Sequence, residues 1–166
     1  MKKYCVIIAV CALLSGCNVQ QTLETVSDLY DVSAMETMQQ IQIVLPEDAA
    51  IETMVNASAD KLYFCDGYTV AVQTLEAGDF QNTLRQVTGF DKEHLSLVET
   101  RQGNVKRFDL VWSTAGEGED QVCRAAILDD GVYHYAVTLM TGSAQAGDLA
   151  ETWTQILNSV KLINID

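Results

Sequence analysis

The side chains best suited to catalysis in this 166-residue chain are two histidines, His94 and His134. His134 follows two aspartates, Asp129 and Asp130, within a stretch that alternates like a β-strand. An imidazole beside a carboxylate can act as a general base, so one interpretation is a small hydrolase that uses His134 with Asp129 or Asp130. No nucleophile motif accompanies the pair, and strand alternation places His134 on the face opposite its tyrosine neighbours. This pattern favours a partly exposed strand histidine without a chemical role, and His94 reads as a solvated loop residue.

Patterns typical of metal or cofactor binding are missing from the sequence. The two histidines lack the spacing of a zinc site, and the acidic segments 116–120 and 129–130 lack the twelve-residue calcium loop. No glycine-rich loop precedes a helix in the way that phosphate binding requires. We therefore expect no metal, no cofactor and no catalytic residues.

Charge narrows the choice of partner. The chain has 10 Lys and Arg against 23 Asp and Glu, a net charge of −13. A nucleic-acid-binding protein needs a basic face that displaces counterions from phosphates, so nucleic acid is excluded as the expected partner. The same balance argues against a polybasic membrane-surface module.

The N-terminal segment reads as an export signal. Lys2 and Lys3 precede an apolar stretch over residues 4–14, which is too short to span a bilayer stably. The stretch ends in Leu14-Ser15-Gly16-Cys17, which resembles the lipobox of bacterial lipoproteins. The resemblance implies cleavage before Cys17 and transfer of a diacylglyceryl group to its thiol. Two acyl chains anchor a protein stably, so we expect a protein held on the extracytoplasmic face of the cell membrane or envelope.

The remaining chain divides at residue 39. We expect residues 1–16 to be the cleaved signal, 17–38 to be a polar tether, and 39–166 to be a single domain. Cys65 and Cys123 form an even pair in this exported domain, which would allow one disulfide. The alternative is two separate buried thiols. Their spacing is not C-x-x-C, so a thioredoxin-like redox role has no support.

Hydrophobic periodicity predicts three helices, at 47–58, 79–88 and 148–160. The second has Asp79 as its N-cap and Gly89 after its C-terminus, and the third begins with Asp148 and Glu151 in a capping-box pattern. Strands are expected at 40–45, 61–65, 68–75, 95–101, 105–115, 121–128 and 132–140.

Two Asp-Gly sequences indicate hairpins between neighbouring strands. Three-residue loops at 65–67 and 129–131 would collect the apolar side chains of each hairpin on one face. This register places Phe64 opposite Tyr68 and Ile127 opposite Tyr133.

Short loops join antiparallel strands, so the fold class is α+β, with a mostly antiparallel six- or seven-stranded sheet and helices on its faces. This element order, the Leu45-Pro46 strand end, and the terminal helix running into Asn158-Ser159-Val160-Lys161-Leu162 resemble PsbP/Mog-type αβα domains. The resemblance implies a non-catalytic binding or assembly module whose partner is an envelope protein or a ligand. It transfers no site residue.

Overall fold

The computed structural model describes residues 39–52 and 59–164, in which nine strands and two α-helices are found. The strands are β1 (Gln39–Gln42), β2 (Ala50–Glu52), β3 (Lys61–Cys65), β4 (Tyr68–Glu76), β5 (Ser96–Gln102), β6 (Val105–Thr114), β7 (Gln121–Asp129), β8 (Tyr133–Gly142) and β9 (Lys161–Asn164). The helices are α1 (Phe80–Thr88) and α2 (Ala150–Ser159), with a 3₁₀ turn at Lys92–His94. The signal segment, Cys17 and the tether lie outside the described residues. Within these ranges neither helix is long and apolar enough to cross a bilayer.

Seven of these strands form one antiparallel sheet in the order β2-β3-β4-β8-β7-β6-β5. Strands β5 to β8 form the expected meander, and β4 joins it by pairing with β8. Strands β1 and β9 form a separate two-stranded sheet. The predicted α+β class, with helices on an antiparallel sheet, is confirmed.

Both faces of the seven-stranded sheet are buried, each against one helix. We call them the α2 face and the α1 face. The α2 face buries Tyr68, Val70, Val72, Ala126, Leu128, Tyr135, Val137 and Leu139 against Trp153, Ile156, Leu157 and Val160. The α1 face buries Phe108, Leu110, Trp112, Cys123, Ala125, Ile127 and Ala136 against Leu84. Full burial of one such side chain contributes roughly 1.5–3 kcal/mol, so each helix is fixed mainly by its apolar contacts.

Helix α1 begins and ends where its caps predict. The Asp79 carboxylate accepts a hydrogen bond from the Gln81 N–H at 3.1 Å. Gly89 adopts φ 79°, a left-handed conformation that glycine reaches without a Cβ clash, and its N–H donates to the Arg85 carbonyl. The helix is therefore held at both ends, which fixes the side chains that it turns toward the sheet.

The predicted register of the first hairpin is wrong. Its loop has two residues, so Cys65 pairs with Tyr68 and Phe64 pairs with Thr69. The three-residue loop was expected because it gathers apolar side chains on one face. The sheet instead buries both faces, so Tyr68 and Val70 point toward α2 while Thr69 lies on the α1 face.

The second hairpin is also shifted from its predicted register. Asp129 pairs with His134, and Leu128 pairs with Tyr135, which leaves a four-residue loop. Asp130 holds this loop, because its carboxylate accepts hydrogen bonds from the N–H groups of Val132 and Tyr133, both at 2.8 Å. Ile127 therefore faces α1 and not the same side as the tyrosines.

Two further element predictions are corrected. Residues Ala50–Glu52 form strand β2 and not the middle of a helix, because pairing with β3 outweighs the helical spacing; residues 53–58 lie outside the described ranges. Helix α2 starts at Ala150 with no side-chain cap, so the Asp148 capping box is absent. The N–H groups of Asp148 and Leu149 donate instead to the Gln145 carbonyl, which satisfies the helix entrance through backbone turns.

Candidate functional site

His134 lies at the junction of α1 and the sheet, and only 2% of it is exposed. Its Nδ1 lies 2.6 Å from the Thr83 hydroxyl of α1, and the Phe80 ring meets the imidazole edge-on with centroids 5.5 Å apart. Because Nε2 faces the Asp129 carboxylate, we assign the ring proton to Nε2, and Thr83 then donates to Nδ1. The expectation that His134 lies opposite the tyrosines is confirmed, but it is buried and not partly exposed.

The carboxylates do not complete a catalytic geometry around His134. Asp129 Oδ1 is 3.8 Å from Nε2, beyond hydrogen-bond distance, and Asp129 also lies 3.4 Å from the Lys106 ammonium. Asp130 binds the N–H groups of its own loop and accepts from the Tyr135 hydroxyl at 3.1 Å. Neither aspartate is therefore free to orient His134 toward a substrate.

Burial lowers the pKa of His134, because desolvation of the cation outweighs the attraction of Asp129 and Asp130. The imidazole is therefore neutral at pH 7. A cavity of about 400 Å³ reaches Thr83, which is itself 4% exposed, but His134 does not line it. Thr83 and His134 together form a neutral, internally hydrogen-bonded link between helix and sheet. This geometry suits a structural contact better than a nucleophile and its base.

The two cysteines lie too far apart to pair. Cys65 is on β3 and contacts the α2 face, whereas Cys123 is on β7 and faces α1, with β4 and β8 between their strands. Neighbouring strands are about 4.8 Å apart, so the separation exceeds the roughly 7 Å limit for a disulfide. Both thiols are free, so of the two alternatives that the sequence left open the structure has separate thiols and no disulfide between Cys65 and Cys123. Burial raises the pKa of Cys123 to about 11, so its thiol stays protonated and unreactive at neutral pH.

The α1 face also carries a groove, which we call the β4–β8 groove. Helix α1 covers only part of this face, and beyond its C-terminal turn lies an open cavity of about 240 Å³. Its walls come from five strands, from α1 and from the residues just before β3: Ala59, Leu62, Thr69, Ala71, Gln73, Gln86, Val87, Thr88, Trp112, Thr114, Cys123, Thr138 and Met140. The α1 face is thus closed where the helix covers it and concave where the helix ends.

The chemistry of this groove is that of a binding surface. Among the described residues, none that lines the groove carries a charge, and none forms a nucleophile and base pair. Trp112 and Met140 supply a large aromatic and a flexible apolar surface. The Thr138 hydroxyl is buried in the groove wall, and among the residues that the structure describes it has no hydrogen-bond partner. Such a surface can hold an apolar group, but its side chains are not arranged to move protons.

The groove is not evident from the sequence. Its lining residues are spread from residue 59 to residue 140, and most of them look like ordinary strand residues when read singly. The sequence feature that points to the groove is the alternation along β4. One side of the strand has small or polar side chains, and the other has large apolar ones: Thr69, Ala71 and Gln73 against Tyr68, Val70 and Val72. A strand that alternates small or polar residues with large apolar ones indicates one closed face and one open face.

No protein-family model matches the chain, and no curated protein matches it in sequence. Solved structures do resemble it. Cyanobacterial PsbP from Synechocystis sp. PCC 6803 is 9% identical with a TM-score of 0.56, and the match covers 75% of this chain and 92% of that one. LpqN, involved in cell envelope biogenesis of Mycobacterium tuberculosis, is 11% identical with a TM-score of 0.50 over 75% and 83% of the two chains. The Ran-binding protein Mog1p of Saccharomyces cerevisiae is 13% identical with a TM-score of 0.49 over 75% and 90%. The chain is thus similar in fold to PsbP and LpqN, and the PsbP-like α+β fold that the sequence resemblance implied is confirmed.

Proposed function

We propose that this protein is a membrane-anchored extracytoplasmic lipoprotein that acts as a non-catalytic binding or assembly module. The β4–β8 groove is the observation that carries the proposal, because it is open, uncharged and built from side chains suited to contact. The only histidine on the sheet is meanwhile turned inward and held by Thr83. This weakens the alternative of a hydrolase based on His134 with Asp129 or Asp130.

Anchoring rests on the Leu14-Ser15-Gly16-Cys17 sequence. The similarity in fold to LpqN, a protein involved in cell envelope biogenesis, agrees with a place in the envelope. The partner would be an envelope protein or ligand that meets the domain above the membrane to which the lipid holds it.

Membrane fractionation tests the anchor. Cys17→Ser should prevent lipid attachment and leave the signal uncleaved, so the fractionated protein should run at the unprocessed size and take up no labelled fatty acid. Cys11→Ser, which alters a cysteine of the same segment outside the lipobox, should leave both properties unchanged. A Cys17→Ser protein that still pellets at the processed size would refute the lipid site.

Site-specific crosslinking in the host cell tests the binding role. A photo-reactive amino acid at Gln86, which lines the groove and is exposed, should form a discrete adduct. The control position is Val98, which is 61% exposed on the edge strand β5. Adducts of equal yield at both positions would show that the groove is not the binding surface.

A further inference from the structure

Acidic residues are concentrated at one end of the seven-stranded sheet. The loops at this end are 46–49, 66–67, 89–95, 115–120 and 143–149, and Lys92 is their one lysine or arginine. Their acids are Glu47, Asp48, Asp66, Asp91, Glu93, Glu117, Glu119, Asp120 and Asp148. These loops lie at the same end of the sheet because β2, β4, β5 and β7 begin there, and β3, β6 and β8 end there. This end of the sheet thus carries a large excess of negative charge, and Thr69, Thr114 and Met140 are the groove residues closest to it along their strands.

Glu119 lies at this end of the sheet, on the α1 face that carries the groove. Gly142 continues the α1 face two residues beyond Met140, and the Glu119 carboxylate occupies the space that a side chain on Gly142 would fill. Only the missing Cβ of Gly142 permits this close approach. In the described ranges no lysine, arginine or histidine forms an ion pair with Glu119. A carboxylate that pairs with no described cation therefore lies on the α1 face, beyond Met140 and outside the residues that line the groove.

The size of the groove limits what it can hold. Sites for whole small molecules usually measure about 300–1,000 Å³. The groove is about 240 Å³ and open on one side. That volume suits one large side chain, and single aromatic or aliphatic anchors of this kind dominate the energetics of many protein interfaces.

We propose that the β4–β8 groove is a docking site for a segment of a partner protein that presents one large apolar side chain beside a lysine or arginine. The apolar side chain enters between Trp112 and Met140, and the neighbouring cation pairs with Glu119. This inference rests on the proposed binding function and specifies the chemistry of its partner. The net charge of −13 would also speed the approach of a basic segment at low ionic strength.

Binding of short peptides to the full lipoprotein in detergent micelles tests this proposal. The probe is acetyl-Trp-Lys-amide, and the readout is the ¹³C-labelled methyl group of Met140, which the ring current of a docked tryptophan would shift. We expect a saturable shift with acetyl-Trp-Lys-amide and none with acetyl-Ala-Lys-amide. Acetyl-Trp-Glu-amide should bind at least about two- to fivefold more weakly, because a like-charge contact replaces an exposed ion pair.

Two variants separate the groove from its charged end. Glu119→Gln should weaken acetyl-Trp-Lys-amide about two- to fivefold and leave uncharged N-acetyltryptophanamide unaffected. Glu93→Gln, which changes an exposed acid within the 3₁₀ turn Lys92–His94, is the matched control and should change neither. Ala71→Leu narrows the groove and should abolish the Met140 shift, and circular dichroism verifies that this variant is folded.

Two results would overturn the proposal. Equal binding of acetyl-Trp-Lys-amide, acetyl-Trp-Glu-amide and N-acetyltryptophanamide would show that the groove takes a neutral group without regard to charge. Absence of any Met140 shift would remove the groove as a docking site for an aromatic anchor. The crosslinking experiment at Gln86 does not depend on these peptides. If it captured a partner while the peptides failed to bind as expected, the binding function would be supported and only the proposed chemistry of the partner would be refuted.

Discussion

Trp153 should be among the residues whose truncation most destabilises this domain. It lies in the middle of α2 with 1% of its surface exposed, and its ring meets Tyr68 edge-on with centroids 6.2 Å apart. It is one of the largest fully buried side chains described. Trp153→Ala removes this contact between the helix and the sheet.

The expected cost follows from three contributions. Truncating a buried tryptophan to alanine typically costs about 3–5 kcal/mol. The aromatic contact with Tyr68 adds about 0.5–1.5 kcal/mol. The indole N–H has no partner among the described residues, and removing a buried unpaired donor relieves about 1–3 kcal/mol. We therefore expect a loss of about 3 kcal/mol for Trp153→Ala. Trp153→Phe, which keeps an aromatic ring and removes the N–H, should lose about 1 kcal/mol or less.

Urea unfolding followed by circular dichroism measures these free energies, and Trp112 remains as a fluorescent probe in both variants. Gln155→Ala, on the exposed side of the same helix, is the control and should stay within about 0.5 kcal/mol of the unmodified protein. A loss below about 1 kcal/mol for Trp153→Ala would contradict the packing of α2 against the sheet.

Three further predictions concern the hairpin, the histidine and the thiols. The folded protein binds a proton at His134 less readily than the unfolded chain does. The contribution of neutral His134 to the free energy of unfolding should therefore be fully present above about pH 6.5 and be lost as the pH falls below that value. Thermal melts across pH should show this decline, and His134→Gln should flatten it. Gly67 has φ +80° in a two-residue loop, so Gly67→Ala should cost about 1–2 kcal/mol in urea unfolding. The cost should not be larger, because the nearest obstacle to the new Cβ is the flexible Gln145 side chain. An unchanged unfolding midpoint would contradict this conformation of Gly67. Alkylation of the denatured, unreduced protein should label both Cys65 and Cys123 in peptide mass spectra, and protection of both until reductant is added would show that they pair.

Local signals in the sequence predicted most of the elements correctly. Asp79 and Gly89 bound helix α1 because capping depends on residues adjacent in the chain. The β5–β8 meander followed from alternation and short loops, which are also local features. The α+β class could therefore be derived before the strand order was known.

Register and the binding surface depended on information that is not local. The predicted hairpin registers rest on the assumption that only one face of the sheet is apolar. Because α1 and α2 bury opposite faces, apolar side chains of the hairpins can be buried on either face, and the apolar pattern does not fix the register. The loop before Tyr133 was lengthened by hydrogen bonds to the Asp130 side chain, which turn composition alone does not reveal. The groove exists because α1 ends before it covers Thr138 and Met140, and the extent of that coverage is a property of tertiary packing.

The pairing of β4 with β8 has a consequence for how the chain folds. It is the one contact between neighbours in the seven-stranded sheet that joins strands far apart in sequence, and Glu76 and Tyr133 at its near end are separated by roughly 55 residues. Closing a loop of that length costs about 3–4 kcal/mol of chain entropy, far more than closing either Asp-Gly hairpin. We expect the β5–β8 meander to form early and the β2–β4 half to dock onto β8 late. A substitution on the late-docking side of this seam, such as Val72→Ala, should then accelerate unfolding while leaving the folding rate nearly unchanged.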